Sequence, residues 1–175
     1  MKLSHIAGLL AGIGIMAGAQ VAVASSGVVN VHGKVVDTTC APSTGFDEVD
    51  VDLDDVFASA LQASGTTASP KAFTIKLSQC DATAKVYANF ETTTNVNAAG
   101  RLKNIDTADP ATNVDVVLTN MDDSQIDIQN QSSPVSVLVD ASGNATLQYK
   151  AAYYSTGSAT KGAVEAQATY LLAYE

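Results

Sequence analysis

Tryptophan is absent from this 175-residue chain, and basic residues are scarce, with nine Lys and Arg against 18 Asp and Glu. The formal net charge of −9 leaves no basic surface of the kind that nucleic acid or anionic lipid requires. C-x-x-C pairs, phosphate-binding glycine loops and zinc-spaced ligands are also missing from the sequence. We therefore expect no nucleic-acid partner, no metal and no cofactor.

Long apolar runs are missing too, apart from one near the start of the chain. Lys2 and His5 precede the apolar residues 6–19, and small residues follow at 22–24. This order is typical of a secretory signal peptide, so we expect residues 1–24 to be removed on export. A membrane anchor is the alternative, but the run is short and rich in Gly and Ala. The remainder has a length that fits one domain.

The two cysteines, Cys40 and Cys80, both lie in the part that we expect to be exported. In an oxidising compartment an even pair predicts a disulfide. Closing that loop would stabilise the fold by roughly 4 kcal/mol on the chain-entropy model. Two free thiols or half of a metal site are the alternative, and partner ligands for such a site are lacking.

Short segments of alternating apolar and polar residues cover most of the chain after residue 24. Strands are expected at Val49–Leu53, Phe73–Leu77, Val86–Phe90, 114–119, 125–128 and 134–139, with a short helical turn within 56–63. Ser142-Gly143-Asn144 predicts a hairpin turn between 135–140 and 145–154. Short strands at this spacing, without a sustained helical period, predict an all-β sandwich.

The last alternation runs from Gly162 to Glu175. Its apolar members are Ala166, Ala168, Tyr170, Leu172 and Tyr174, which a strand would place on one face. A self-sufficient β domain usually covers such a face with a following strand. The alternation therefore predicts that another molecule supplies the cover.

Residues that could carry catalysis are few, and we expect no enzyme. His32 has no nucleophile partner and lies near the expected mature N-terminus. Asp50, Asp52 and Asp54 imitate the start of a calcium loop, but Asp55 replaces the required Gly and Leu61 the required Glu. The acidic outer face of a strand explains these carboxylates better.

A second free strand is predicted at Ser25–His32, where Gly27, Val29 and Val31 would share one face. One molecule's free strand can complete another molecule's open sheet, with backbone hydrogen bonds setting the register and alternate side chains filling pockets. The simpler alternative is that both terminal strands fill the edges of their own sandwich.

The chain resembles the chaperone–usher fimbrial subunits, close to the major pilin of type 1 fimbriae. The resemblance spans the exported part and rests on the order of four features: residues 31–40, residues 73–80, residues 149–154, and Gly162 thirteen residues before an end with penultimate Tyr174. It implies an incomplete immunoglobulin-like β-sandwich that lacks its last strand and is completed by donor-strand complementation. Residues 25–32 would be the donor-strand extension, and 33–175 the pilin domain.

The resemblance also implies a function and partners. The chain would be exported through the periplasm and polymerise head to tail by donor-strand exchange into an extracellular surface fimbrium involved in adhesion. Its partners would be a periplasmic pilus chaperone, an outer-membrane usher and other pilin subunits. The chaperone's strand would fill the gap first, and the extension of the next subunit would replace it.

Individual residues match the pattern of this family. Gly27, Val29 and Val31 match its donor strand, and Cys40 and Cys80 match its disulfide between the first two strands. Gly162, Tyr170, Leu172 and Tyr174 match the strand that would line the acceptor groove in this family. The same strand would pair with a chaperone, whose basic residues would hold the C-terminal carboxylate. One departure is the length of the arm, because only two residues separate Ala24 from Gly27. A donor pocket would then be left empty or hold Ser25.

A self-contained secreted carbohydrate-binding β-sandwich is the alternative function. Such a protein would need exposed aromatic platforms or a calcium site. Six tyrosines, concentrated toward the C-terminal half, offer little support for it. A secreted hydrolase is more remote still, since catalytic partners are lacking.

Overall fold

Two antiparallel β-sheets form the described part of the chain, in a computed structural model that describes residues 40–43, 48–131 and 134–175. The predicted signal peptide and the predicted donor arm, with Gly27, Val29 and Val31, lie outside the described residues. The strands are β1 (Ala41–Pro42), β2 (Thr67–Ser78), β3 (Lys85–Phe90), β4 (Leu102–Lys103), β5 (Val114–Thr119), β6 (Val137–Leu138), β7 (Ala145–Ser155) and β8 (Tyr170–Tyr174). A single 3-10 turn, Ala58–Leu61, confirms the expected helical turn.

The larger sheet has the strand order β1-β2-β7-β5-β4, and the smaller has the order β6-β3-β8. The long antiparallel pair of β2 and β7 forms the centre of the larger sheet, with Ile75 opposite Leu147 and Leu77 opposite Ala145. All four of these side chains are buried, because the inward-facing positions of each strand meet the other sheet. The all-β sandwich predicted by the alternation is confirmed.

A disulfide joins Cys40, directly before β1, to Cys80, just after β2. The pairing of Ala41 with Ser78 brings the two ends together, and the Cα atoms of the cysteines lie 4.1 Å apart. Both cysteines are buried against the main core. The predicted disulfide between the first two strands is thus confirmed.

The turn predicted at residues 142–144 is present, but the hairpin is not. Gly143 has a φ of +76°, and a Cβ there would lie 2.9 Å from the carbonyl oxygen of Cys80, so the turn requires glycine. On either side of it, β6 pairs with β3 in the smaller sheet while β7 enters the larger one. The connection therefore crosses between sheets, which a turn motif alone cannot reveal.

Several segments predicted as strands form no strand or a shorter one. Residues 125–128 form isolated bridges, such as that from Gln125 to Thr119, and no strand, and 134–139 contains only the two-residue β6. Val49–Leu53 forms no strand, although Val51 and Leu53 pack inward and Asp50 and Asp52 are exposed, as the alternation predicted. In the C-terminal alternation only Tyr170–Tyr174 is a strand. A strand requires a continuous partner backbone in addition to an alternating pattern, and on these stretches such a partner is missing within the described residues.

Tyr149 of β7 ties the two sheets together at the centre of the sandwich. Its side chain is almost wholly buried, and its hydroxyl accepts a hydrogen bond from the backbone N–H of Ala88 in β3 at 3.2 Å. The two-residue strand β6 pairs only with Lys85 and Val86, so it ends before Ala88. The Tyr149 hydroxyl thus supplies the acceptor that a longer β6 would have provided.

We predict that Tyr149→Phe lowers the free energy of unfolding by about 1–3 kcal/mol, because the buried N–H of Ala88 loses its acceptor. Urea unfolding of the purified chain, followed by circular dichroism, measures the change. Tyr154→Phe is the matched control, since the Tyr154 ring stacks against the Arg101 guanidinium and keeps that contact without its hydroxyl. Equal stability losses in the two variants would contradict the role assigned to Tyr149.

Candidate strand-acceptor groove

A groove of about 920 Å³ lies between two extended segments, one on each side. We call Glu48–Leu53 the acidic wall and Val164–Tyr174 the C-terminal wall. All of the acidic wall lines the groove, as do the first seven residues of the C-terminal wall. The floor comes from both sheets, with Phe90 from the smaller sheet and the side chains of Phe73, Ile75, Leu102, Val116, Leu118, Ala151 and Tyr153 from the larger one. The floor is therefore largely apolar, and its two sides are polypeptide backbone.

The upper part of the C-terminal wall is held from one side only. The N–H of Glu165 donates to the side-chain oxygen of Asn104 at 3.0 Å, and its carbonyl accepts from Ile105 N–H at 2.8 Å. Among the described residues, the backbone groups of Val164, Ala166 and Ala168 make no hydrogen bond. Because alternate residues of an extended chain direct these groups to opposite sides, the unpaired ones face away from the Asn104 loop.

The same alternation continues into β8. The carbonyl of Thr169 accepts from Glu91 N–H, and the N–H of Glu175 donates to the carbonyl of Lys85, so the odd-numbered residues pair with β3. Leu172, opposite Ala88, then directs its backbone groups to the outer edge of the smaller sheet, where β8 is the last strand in the described part. This edge is able to accept one more strand.

The acidic wall also presents an unpaired backbone. Among the described residues, Glu48–Val56 makes no backbone–backbone hydrogen bond to any other segment. It is fastened through side chains at its end, where Ser69 Oγ donates to the carbonyl of Asp54 and Lys71 forms a 3.0 Å ion pair with the Asp54 carboxylate. Both sides of the groove thus offer donors and acceptors to an extended occupant.

An aromatic cluster spans the floor from the larger sheet to the C-terminal wall. The rings of Phe73 and Tyr149 are 5.8 Å apart, those of Tyr149 and Phe90 5.3 Å, and those of Phe90 and Tyr170 6.3 Å. Tilted and edge-to-face rings at these distances attract each other beyond their burial. The cluster fixes the floor without help from any occupant.

Two tyrosines near the floor have raised pKa values. Burial raises the pKa of Tyr149, although the hydrogen bond from Ala88 opposes the shift. Burial also raises the pKa of Tyr153, and the carboxylates of Asp55 and Asp54 add to that effect. Both phenols therefore stay neutral well above physiological pH, and the floor carries no tyrosinate charge.

Beyond the groove, Tyr174 ties the end of the C-terminal wall to the disulfide. Its hydroxyl accepts a hydrogen bond from the backbone N–H of Cys40 at 2.8 Å. Cys40 is in turn bonded to Cys80, so the end of the C-terminal wall is linked to the first two strands of the larger sheet. This link fixes the spacing between the sheets at that end.

The structure brings together the predicted wall residues. Tyr170, Leu172 and Tyr174 lie in β8 on the face packed against the core, and they are half-buried, as are Ala166 and Ala168. Gly162 precedes them at a close crossing, where a Cβ would lie 2.4 Å from the backbone N of Ala111. The predicted sharing of one face is confirmed.

Sequence reasoning missed the acidic wall and the aromatic floor as parts of this site. The acidic wall could have been recognised in the sequence, because an isolated apolar–acidic alternation flanked by loops is typical of an extended segment without a strand partner. The aromatic floor has no such pattern in the sequence, because the contact of Phe90 with Tyr149 depends on which strands face each other. Within the described residues, groups of three or more potential metal ligands are absent, and helices long and apolar enough to cross a membrane are absent too.

Solved structures of pilus subunits share the fold of this chain. A structure of a chaperone–usher pilus superposes with a TM-score of 0.59 at 23% identity, covering 86% of this chain and 96% of the other. The P pilus rod subunit PapA superposes with a TM-score of 0.61 at 19% identity, covering 78% and 99%. These likenesses define the fold class, an immunoglobulin-like, all-β sandwich.

Sequence comparison identifies the family. A sequence profile of the fimbrial protein family matches residues 29–175. The F17 fimbrial protein of Escherichia coli is 33% identical over 99% of both chains, and the major fimbrial subunit SMF-1 of Stenotrophomonas maltophilia is 34% identical over 86% of this chain and 94% of its own. The chain belongs to the fimbrial protein family and is a structural subunit of a fimbrium. The carbohydrate-binding alternative is not favoured.

We predict that Gly162→Ala lowers the free energy of unfolding by about 1–3 kcal/mol, because it forces a side chain against the backbone of Ala111 in a disfavoured conformation. The matched control is Gly157→Ala, where the nearest atom to a new Cβ is 3.8 Å away. Urea unfolding compares the two variants with the parent chain. Equal stability of both variants would show that the crossing at Gly162 is not required for the C-terminal wall.

Proposed function

We propose that this subunit polymerises head to tail by donor-strand exchange, with residues 25–32 of one copy filling the groove of the next. The observation that supports this proposal most directly is the pair of unpaired backbones facing a largely apolar groove. An extended strand placed there would satisfy the groups of both walls and cover the floor. A small ligand would satisfy neither row.

The donor residues would be Gly27, Val29 and Val31. Alternate side chains of an inserted strand would point at the floor, so the two valines would contact aliphatic and aromatic groups there. Glycine at the third position would allow a close backbone approach. The acceptor surface would be formed by the groove and by Tyr170, Leu172 and Tyr174 of the C-terminal wall, preceded by Gly162.

An open groove of this kind promotes aggregation, because its apolar floor and free edges remain exposed. A periplasmic chaperone would therefore hold the groove first, and an outer-membrane usher would coordinate the exchange for the donor arm. The likeness to a chaperone–usher pilus structure supports this route. Residues 1–24 would be the signal peptide that delivers the chain, and the product would be an extracellular filament involved in adhesion.

We predict that Val31→Asp blocks polymerisation and leaves chaperone-bound subunits intact, because the charge would have to enter the apolar floor of another copy, whereas the chaperone would bind the variant's own groove and not its donor arm. Val28→Asp is the matched control, since Val28 falls on the opposite face of the predicted strand. Electron microscopy of surface filaments and periplasmic co-purification measure the two effects. Normal filaments from Val31→Asp would overturn the donor assignment.

We also predict that a copy of residues 25–32, grafted onto the C-terminus through a flexible linker, converts the chain into a stable monomer, because the local arm outcompetes other copies. Size-exclusion chromatography and thermal unfolding report the change. The same graft with Val31→Asp should remain aggregation-prone. If the two grafts behave alike, the groove does not bind this segment through its apolar face.

A further inference from the structure

We propose that the acidic wall is a specificity element that selects the arm of another copy of this chain by charge. This inference rests on the proposed function, because it concerns which strand enters the groove and how quickly. The complementary group is Lys34, which directly follows the donor segment together with Gly33.

The charges of the acidic wall are not neutralised within the described part of the chain. Glu48, Asp50 and Asp52 line the groove and are exposed, and none of them has an ion-pair partner among the described residues. Asp54, the next acidic residue, is paired with Lys71. The neighbouring Lys71 is therefore already engaged, and the three remaining carboxylates have no cation paired with them in the described part of the chain.

The opposite side of the groove adds to this field. Glu165, at the upper part of the C-terminal wall, is exposed and lines the same groove. Among the described residues, none that lines the groove is basic. A strand that approaches this mouth meets carboxylates on both sides, so an acidic strand is repelled and a basic one attracted.

The arm has the complementary composition. The donor segment 25–32 has no acidic residue, and Lys34 follows it by two residues, ahead of the first acidic residue, Asp37. An extended chain rises by about 3.3 Å per residue, so in a bound extended arm Lys34 would lie roughly 10 Å beyond Val31. A lysine there would extend past the apolar contacts of the arm, and its stem would cover apolar surface while its ammonium group approached the rim.

Exposed ion pairs contribute little to affinity. Their larger effect is on the rate of association and on the rejection of wrong partners. We therefore expect the acidic wall to change how fast an arm is captured, and which arm is captured, more than how firmly the finished junction holds. The effect should disappear when salt screens the charges.

A charge-swap cycle in the full chain tests this inference. The variants are Asp50→Lys with Asp52→Lys, Lys34→Glu alone, and all three changes together. At low ionic strength we expect the first two to assemble about three- to tenfold more slowly than the parent, and the combined variant to recover most of the rate. Light scattering during assembly, at low and at high salt, measures the rates.

The control is Asp109→Lys, which makes one such Asp→Lys change, half the charge change of the wall variant, at an exposed residue outside the groove lining. It should assemble at the parent rate. Independent slowing by the wall and arm variants, without recovery in the combination, overturns the inference, as does slowing that persists at high salt. Val31→Asp distinguishes failure of this inference from failure of the proposed function. If Val31→Asp blocks assembly while the charge variants assemble at the parent rate, donor-strand exchange is supported and selection by charge is contradicted.

Discussion

Backbone groups that lack a partner are the constraint on which this structure depends. A buried N–H or C=O group without a hydrogen bond costs about as much as several such bonds contribute, so folded chains pair nearly all of them. Here Val164, Ala166 and Ala168 on one side, and the acidic wall on the other, remain unpaired within the described residues. They stay so because the groove keeps them open to solvent. An extended strand is the one occupant whose own groups match two parallel rows.

The rest of the sandwich holds these two rows in place. The disulfide and the hydrogen bond from Cys40 to Tyr174 fix the lower end, while Tyr149 joins the sheets behind the floor. The Asn104 loop anchors the upper part of the C-terminal wall through Glu165. Since these contacts exist before any strand enters, little further ordering of the acceptor is needed on binding, which favours a firm junction.

The sequence predicted the fold class, the disulfide and the apolar face shared by Tyr170, Leu172 and Tyr174 in β8, because each leaves a local pattern: short alternating segments, an even cysteine pair, and an alternation that continues to Tyr174. It did not predict that β6 and β7 separate into different sheets, since the turn at Gly143 is compatible with both outcomes. Val49–Leu53 was wrongly predicted as a strand for a related reason. Its pattern reports which side chains face inward, but a ladder depends on a partner that the pattern does not specify.

The proposed donor arm and the groove, on one chain, would have a consequence for assembly. The two surfaces differ, so their contact would be heterologous, and repeating it would add subunits in one direction instead of closing a symmetric dimer. Each junction would bury apolar side chains and a row of backbone hydrogen bonds, which would slow dissociation and allow a filament to persist without covalent links. If the acidic wall selects the segment with Lys34 as proposed, the chain would have a polarity of charge as well as of shape. Copies would then meet in the productive orientation more often than in any other, because like ends repel.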